Sequence, residues 1–515
     1  MPDLPRWILE VAFLLYATIV SGFVLLERRR PTATLALLLA LIFVPVVGLG
    51  VYWLFSRSRV QRRRKQRRRR RIDPLEGTSA MAKIEALPGD LPPAQQGLVR
   101  LALASSAAPL RRADAAVLLP NARLAFDALE AAILQAEHRI HLEFYIWRDD
   151  RAGRSLTALL TERARQGLKV RVLLDHFGTL QLSNEHFAEL VAAGGQVAVF
   201  GRLRLPIARS RLNFRNHRKL MVVDGRIGFT GGLNVGDEYL SADASHHGWR
   251  DLFVRIEGDA AVGLEATFID DWLSATGEVL NLEGSRPREA EGIDGRKPPR
   301  RHAWQRKRPM AHQLHEANPF EPRPRRPPIS QGPLIQIIPS GPDLPVGSAL
   351  SAQFTAALAL AQCRAYITTP YLVPDDPLML VLRTAAMRGV DVRILVPDPR
   401  HNDSRLVAIA ARSYYDELLE AGCRIYEYIP GMLHAKYLVA DDIAAIGSAN
   451  MDIRSFHINY EITAMFYDAA FTADLVTVFM ADLEQASEVR PEHRLRLSLG
   501  QRLLEGSARL LSPLL

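Results

Sequence analysis

One pattern occurs twice in this chain of 515 residues, and it constrains the fold more than any other feature. His217-x-Lys219 is followed after four residues by Asp224 and after six more by Gly231-Gly232-x-Asn234; His434-x-Lys436 is followed after four by Asp441 and after five by Gly447-Ser448-x-Asn450. The surroundings repeat as well. "LEAAILQAEHRIHLEFYIW" and "FTAALALAQCRAYITTPYLVPD" each join an apolar-periodic helix to a strand. "RARQGLKVRVLLD" and "TAAMRGVDVRILVPD", then "FAELVAAGGQVAVF" and "YYDELLEAGCRIYEYI", each carry a helix, a glycine stop and a β-rich run. Strands alternating with helices in this order predict an α/β architecture with a mixed sheet flanked by helices. A chain of this length holds two such repeats, at 111–281 and 334–515, and pseudo-twofold packing would bring their motifs into one site.

The residue types suit a phosphodiester. Side chains alternate along a strand, so His217, Lys219, Met221 and Val223 should share one face and Arg218, Leu220, Val222 and Asp224 the other; His434 and Lys436 share a face that Asp441 lacks. A lysine neutralises phosphate oxygens as a point charge, and an imidazole can serve as base, acid or nucleophile. Two such pairs face to face place a histidine on each side of a phosphorus atom, which is what in-line double displacement needs. The small-residue turns allow close backbone approach and offer Asn234, Asn450 and Ser448 as phosphate donors. Acidic residues on the next strand of each copy, Asp251 and Glu461, are candidates to orient the imidazoles. With two lysines and a protonated histidine to supply positive charge, no metal or other cofactor is expected. Adjacent His246 and His247 lack ligand spacing. Trp147 and Tyr371 end equivalent strands and could line a cleft or pack in the core. Cys363 and Cys423, the only cysteines, read as buried reduced thiols.

The net charge of +9 is unevenly spread. Arg57 to Arg71 carries eleven positive charges and no negative one, and Glu283 to Pro328 has six more basic than acidic residues, so the remainder lies near −8. A nucleic-acid partner is therefore not expected. Ile8 to Leu26, apolar apart from Glu10, and the uncharged Leu35 to Phe55 each match the roughly 20 residues that span a bilayer. They predict an N-terminal two-helix transmembrane hairpin over 1–56. A basic juxtamembrane linker over 57–110 should follow it, and a Pro/Arg-rich disordered linker over 282–333 should join the repeats. The arginine run places the catalytic region on the cytoplasmic side by the positive-inside rule.

With those residues in view, the chain resembles the phospholipase D superfamily, whose signature H-x-K-x4-D-x6-G-[SG]-x-N is present once per half. Within it, "RRRPTATLALLLALIFVPVVGLGVYWLF", "IIPSGPD", "ITTPYLVPDD", "SANMDIRSFHINYEI" and "ARLLSPLL" are similar to the bacterial cardiolipin synthase branch. The resemblance implies two repeats sharing one active site in a bacterial inner-membrane enzyme. It implies a ping-pong transfer through a phosphohistidine: one phosphatidylglycerol loses glycerol and a second accepts the phosphatidyl group, giving cardiolipin. His217 would then be the nucleophile and His434 the acid/base; Lys219, Lys436, Asn234 and Asn450 would bind phosphate; Asp224 and Asp441 would be mainly structural. The alternative within the superfamily is a hydrolase of phospholipids or, less in keeping with the charge, of nucleic acid. The second motif departs from the signature by one residue between Asp441 and Gly447, so either its hairpin is shorter or its ladder slips through a bulge.

Overall fold

The computed structural model describes residues 91–183, 185–201, 214–240, 248–280, 332–344 and 348–512, with scattered positions between Val11 and Leu41. The first repeat builds a seven-stranded sheet from β2 (Ala115–Leu119), β3 (Arg139–Phe144), β4 (Lys169–Asp175), β5 (Gln196–Phe200), β6 (Leu220–Val223), β7 (Ile227–Gly231) and β8 (Phe253–Glu257). Their order is β2-β8-β7-β6-β3-β4-β5. The second repeat uses β9 (Leu334–Ser340), β10 (Arg364–Thr368), β12 (Asp391–Pro397), β13 (Arg424–Tyr428), β14 (Tyr437–Ala440), β15 (Ile443–Gly447) and β17 (Glu461–Tyr467) in the matching order β9-β17-β15-β14-β10-β12-β13. Short β1 (Leu110–Arg112) and β18 (Ala486–Glu488) extend its edges, and β11 (Leu372–Val373) pairs apart with β16 (Met451–Asp452). In both sheets the strands joined by helices run parallel, and the motif hairpin is antiparallel, making each sheet mixed.

The motif strands are buried on both sides. Met221 and Val223 join the outer core of the first repeat with Phe126, Ile133 and Leu156. Leu220 and Val222 face a core common to both repeats, which also takes Val254 and Phe268 from the first and Val439, Ile446, Ile462 and Phe479 from the second. Burying each such side chain stabilises by roughly 1.5–3 kcal/mol, so this shared core is what fastens the repeats together.

One expectation about the connections changes. The linker expected over 57–110 is folded from Pro93 onward: helix Pro93–Ser106 and strand β1 pack on the second repeat. Gln336 and Gln353 of that repeat donate to the carbonyls of Ala108 and Leu98 at 2.8 and 3.1 Å. The apolar face of Leu98, Val99 and Ala102 needs burial, and the second repeat supplies it before the chain has entered the first. The expected membrane hairpin lies mostly outside the described residues, and among those described no helix is long and apolar enough to cross a membrane. The linker over 282–333 lies outside them almost entirely.

The unequal spacing of the motifs is settled in the turn. Asp224, Gly225 and Arg226 join β6 to β7, whereas Asp441 and Asp442 alone join β14 to β15; the ladders behind them have the same register, with Leu220 opposite Thr230 and Tyr437 opposite Ile446. The second hairpin is one residue shorter, and no bulge intervenes. Both motif aspartates sit in the left-handed region, at φ 52° and 50°, which the short polar side chain of Asp tolerates. Each carboxylate caps the strand entering from the preceding helix: Asp224 accepts from the backbone N–H groups of Glu137, His138 and Arg139 at 2.8–2.9 Å, and Asp441 from those of Gln362, Cys363 and Arg364 at 2.8–3.0 Å. Asp441→Ala removes three charge-assisted bonds and leaves alanine at positive φ, so we expect a loss of about 2–4 kcal/mol in denaturant unfolding. Asp441→Asn, which keeps one acceptor oxygen and the left-handed preference, should recover part of it. An alanine variant of full stability but no turnover would instead place this carboxylate in the chemistry.

Candidate active site

The histidines lie just before the strands, since β6 begins at Leu220 and β14 at Tyr437, not within them as strand alternation assumed. What holds each histidine is the opposite repeat. The His217 N–H donates to the Tyr460 carbonyl and the Tyr460 N–H to the Arg215 carbonyl, both at 2.9 Å; the His434 N–H donates to Arg250 at 2.7 Å and the Arg250 N–H to Met432 at 2.8 Å. Glu461 follows Tyr460 and Asp251 follows Arg250, so each carboxylate rises against the imidazole of the other repeat. Both Glu461 oxygens lie 3.0 Å from His217 Nδ1, and Asp251 Oδ2 lies 2.7 Å from His434 Nδ1. The orienting residues are thus the two acids picked out in the sequence, but they are exchanged between copies.

The lysines are buried beside them. Lys219 Nζ donates to the His217 carbonyl at 2.8 Å, and Lys436 Nζ to that of His434. Burial holds the Lys219 ammonium well below its usual range and brings Lys436 down to about 8. It also lowers His217 to about 4 and His434 well below its ordinary value, with the charge of Lys436 pushing the second the same way. Both imidazoles are therefore neutral near pH 7. A neutral imidazole beside a carboxylate donates from Nδ1, which leaves the Nε2 lone pair for chemistry. Asp251 is raised by burial to about 7, so its pair with His434 can hold a proton near neutrality. Two ammonium groups and two desolvated imidazoles make a site whose chemistry suits an anion.

The turn residues have unequal duties. Ser448 Oγ donates to Glu461 Oε2 at 2.5 Å and accepts from the Ile462 N–H at 3.0 Å, so its hydroxyl holds the carboxylate, where a phosphate contact had been expected. Gly232 occupies the equivalent place, and a Cβ there would fall 2.1 Å from Asp251 Oδ1. The longer Glu461 needs a hydroxyl to brace it; the shorter Asp251 needs the space that glycine leaves. Asn234 donates to the Tyr239 hydroxyl at 2.8 Å and accepts from the Ile146 N–H at 3.2 Å. Asn450 donates to Asp452 at 3.1 Å, while its Oδ1 is buried without a partner. Both amides sit by the site with their donors turned to protein acceptors.

Several residues of the site escaped the sequence reading. The Tyr145 ring meets His217 edge-on at 5.0 Å and lies 5.4 Å from Lys219 Nζ; Trp249 and Tyr239 flank His434 at 4.9 and 6.0 Å. Arg218, between His217 and Lys219, is buried and pairs with Asp271, and its guanidinium donates at 3.0 Å to the Glu461 carbonyl. Arg250 does the same for Asp251 at 2.8 Å while gripping Asp482 at 2.7 and 2.8 Å. Each orienting carboxylate thus has its backbone held by a buried arginine, and each arginine stands in a polar stretch of the sequence, between His217 and Lys219 or beside Asp251, where nothing signals burial. Of the cleft candidates, Trp147 is core, with its indole N–H 3.1 Å from His186, and Tyr371 bonds Asp403 at 2.7 and 2.8 Å. Cys423 is buried, but Cys363, expected to be so, is exposed. His246 and His247 lie outside the described residues. Among the described residues, no group of three or more His, Cys, Asp or Glu could hold a metal.

Comparison with known proteins agrees with this geometry. The family model described as "Cardiolipin synthase, PLD-like domain" matches residues 129–264 and 354–483, once per repeat. Cardiolipin synthase of Geobacillus kaustophilus is 37% identical over 95% of this chain and 90% of its own length. That of Halalkalibacterium halodurans is 34% identical over 99% and 95%. Among solved structures, phosphatidylserine synthase of Haemophilus influenzae shares the fold with a TM-score of 0.57 at 16% identity, covering 81% of this chain and 100% of that one.

Proposed function

Because the chain belongs to the cardiolipin synthase family of phospholipase D-like phosphatidyltransferases, we propose that its two repeats form a single site that joins two phosphatidylglycerol molecules through a phosphohistidine. The observation that carries the mechanism is the crosswise pairing, in which neither histidine is oriented without the other repeat. His217 Nε2 attacks phosphorus and the bond to the glycerol oxygen breaks, while His434 gives that oxygen its proton. The 3-hydroxyl of a second phosphatidylglycerol then loses its proton to His434, its oxygen bonds phosphorus, and the bond to His217 breaks. Lys219 and Lys436 offset the charge that builds on the non-bridging oxygens. Two features support assigning the acid/base role to His434: its tighter contact with Asp251 and the raised Asp251 carboxyl, which together let that pair carry a proton.

The mechanism places the site at a lipid surface. The apolar stretches from Ile8 to Leu26 and Leu35 to Phe55 support a hairpin in the bacterial inner membrane with the catalytic repeats, 111–281 and 334–515, on the cytoplasmic side. A bond from the Tyr16 hydroxyl to the Leu41 carbonyl at 3.3 Å brings the two stretches together and supports it further. The direct test incubates membranes bearing the protein with labelled phosphatidylglycerol. Cardiolipin and free glycerol should appear in equal amounts; phosphatidic acid as sole product would make the protein a hydrolase.

A further inference from the structure

The helix Leu499–Leu510 is turned inside out. Its buried residues are Glu505 and Ala508, whereas Leu499, Leu503 and Leu510 are 74%, 62% and 82% exposed. Spaced by four and seven residues, those leucines form one stripe along the face opposite Ala508. A helix on a surface bathed by water ordinarily turns such a stripe to the core. This one is fixed the other way by its polar side. Ser498 and Gln501 close a capping box at its start. Glu505 accepts from Arg494 Nη1 and Nη2 at 3.0 and 2.7 Å, and Arg494 also grips Asp416 at 2.7 and 3.2 Å. Towards the other end Arg509 pairs with Glu417 at 2.6 Å, and the Tyr414 hydroxyl donates to that of Ser512 at 3.0 Å. Leu495, just ahead of the helix, is 75% exposed as well, so among the described residues nothing covers this row of leucines.

The stripe is edged with positive charge. Arg502 and Arg509, seven residues apart, lie along one side of it. From Arg490 to Ser512 the chain has five arginines and two acids, and one of those acids is the buried, paired Glu505. The helix also stands near the site. It packs on the helix Arg405–Arg412, whose cap Ser404 follows Asp403, the acceptor of the Tyr371 hydroxyl. Tyr371 in turn precedes Leu372, which pairs with Met451 next to Asn450, so one helix separates the leucines from the turn of the second motif. A solvent-facing row of leucines marks a surface made to be covered. Arginines along its edge suit an anionic bilayer, where leucine side chains enter the acyl boundary and guanidinium groups meet lipid phosphates. We propose that the helix Leu499–Leu510 docks on the leaflet that holds the phospholipid substrates, with its leucine stripe in the acyl boundary, and so sets the site against the lipids it joins.

This inference rests on a phospholipid substrate and not on the order of steps at the histidines. Full-length protein carrying Leu503→Cys and Cys363→Ser, labelled with a nitrobenzoxadiazole and reconstituted into phosphatidylglycerol vesicles, reads the contact directly. Lipids brominated along the acyl chain should quench the label, and aqueous iodide should not. Quenching by iodide with none by brominated lipid would refute the docking. So would a label shielded from both, with the leucine substitutions breaking a dimer in sedimentation, since the stripe would then belong to a second copy of the chain. Leu499→Ser, Leu503→Ser and Leu510→Ser combined alter only exposed side chains, so thermal stability should hold. Cardiolipin formation from vesicles should fall by about tenfold or more, the loss expected when leucines no longer leave water. On dispersed short-chain phosphatidylglycerol, which needs no bilayer contact, the variant should match the wild type; an equal loss on both substrates would overturn the proposal. A wild type whose label is quenched by lipid but which makes no cardiolipin would sink the transferase reading and leave the docking in place.

Discussion

A His217→Ala variant should form no phosphatidyl-enzyme and lose turnover by about 10⁴-fold or more, because both half-reactions pass through its Nε2. His434→Ala should differ in kind. With phosphatidylglycerol as donor it should also lose about 10²–10⁴-fold, the usual contribution of a general acid and base. With a donor whose leaving group needs no proton, such as a nitrophenyl phosphodiester, His434→Ala should still load His217 and then stall, since nothing deprotonates the acceptor. Samples from labelled donor, quenched in detergent at neutral pH because the phosphorus–nitrogen bond is acid-labile, decide the matter: covalent label is expected in the His434 variant and none in the His217 variant. The reverse pattern would interchange the two roles while leaving the shared site intact.

Glu461→Gln is expected to disable His217, a residue of the other repeat. The amide fits the same space but can present its N–H₂ to Nδ1, which favours the wrong tautomer and takes the lone pair from Nε2; we expect a loss of about 10²–10⁴-fold in loading, with the fold retained. Ser448 still braces the side chain and Arg218 the backbone carbonyl, so thermal stability should change little. Asp251→Asn should spare loading from an activated donor and slow the acceptor step, as His434→Ala does. Pairing within each copy would predict the opposite assignment, with Asp251→Asn blocking loading, so the two variants together test the exchange of partners.

Much of this was legible in the chain because it depends on periodicity and repetition. Alternating helix and strand patterns give two α/β units, and His-x-Lys twice points to a candidate site divided between them. Strand parity set Asp224 and Asp441 apart from the histidines; in the structure they are apart for another reason, because both aspartates sit in the hairpin turns with their carboxylates on backbone N–H groups of the preceding strand's entry. Parity misled for Arg218, which it sent to the face away from the site. That face is a second buried core, and the guanidinium reaches through it to Asp271 and to the backbone of Glu461. A hydroxyl in a glycine turn looks available to phosphate, yet that of Ser448 is held by Glu461, thirteen residues on and across the turn.

The sequence by itself determined the composition of the site: two histidines, two lysines and two acids, with the spacing that sets each beside a hairpin. Which acid serves which histidine was decided by tertiary structure alone. The backbone of each histidine segment bonds to the other repeat at Tyr460 or Arg250, and that bond carries the following carboxylate across the boundary. A spacing within one copy records only neighbours along the chain, whereas the pairing depends on how the two sheets meet over their shared core.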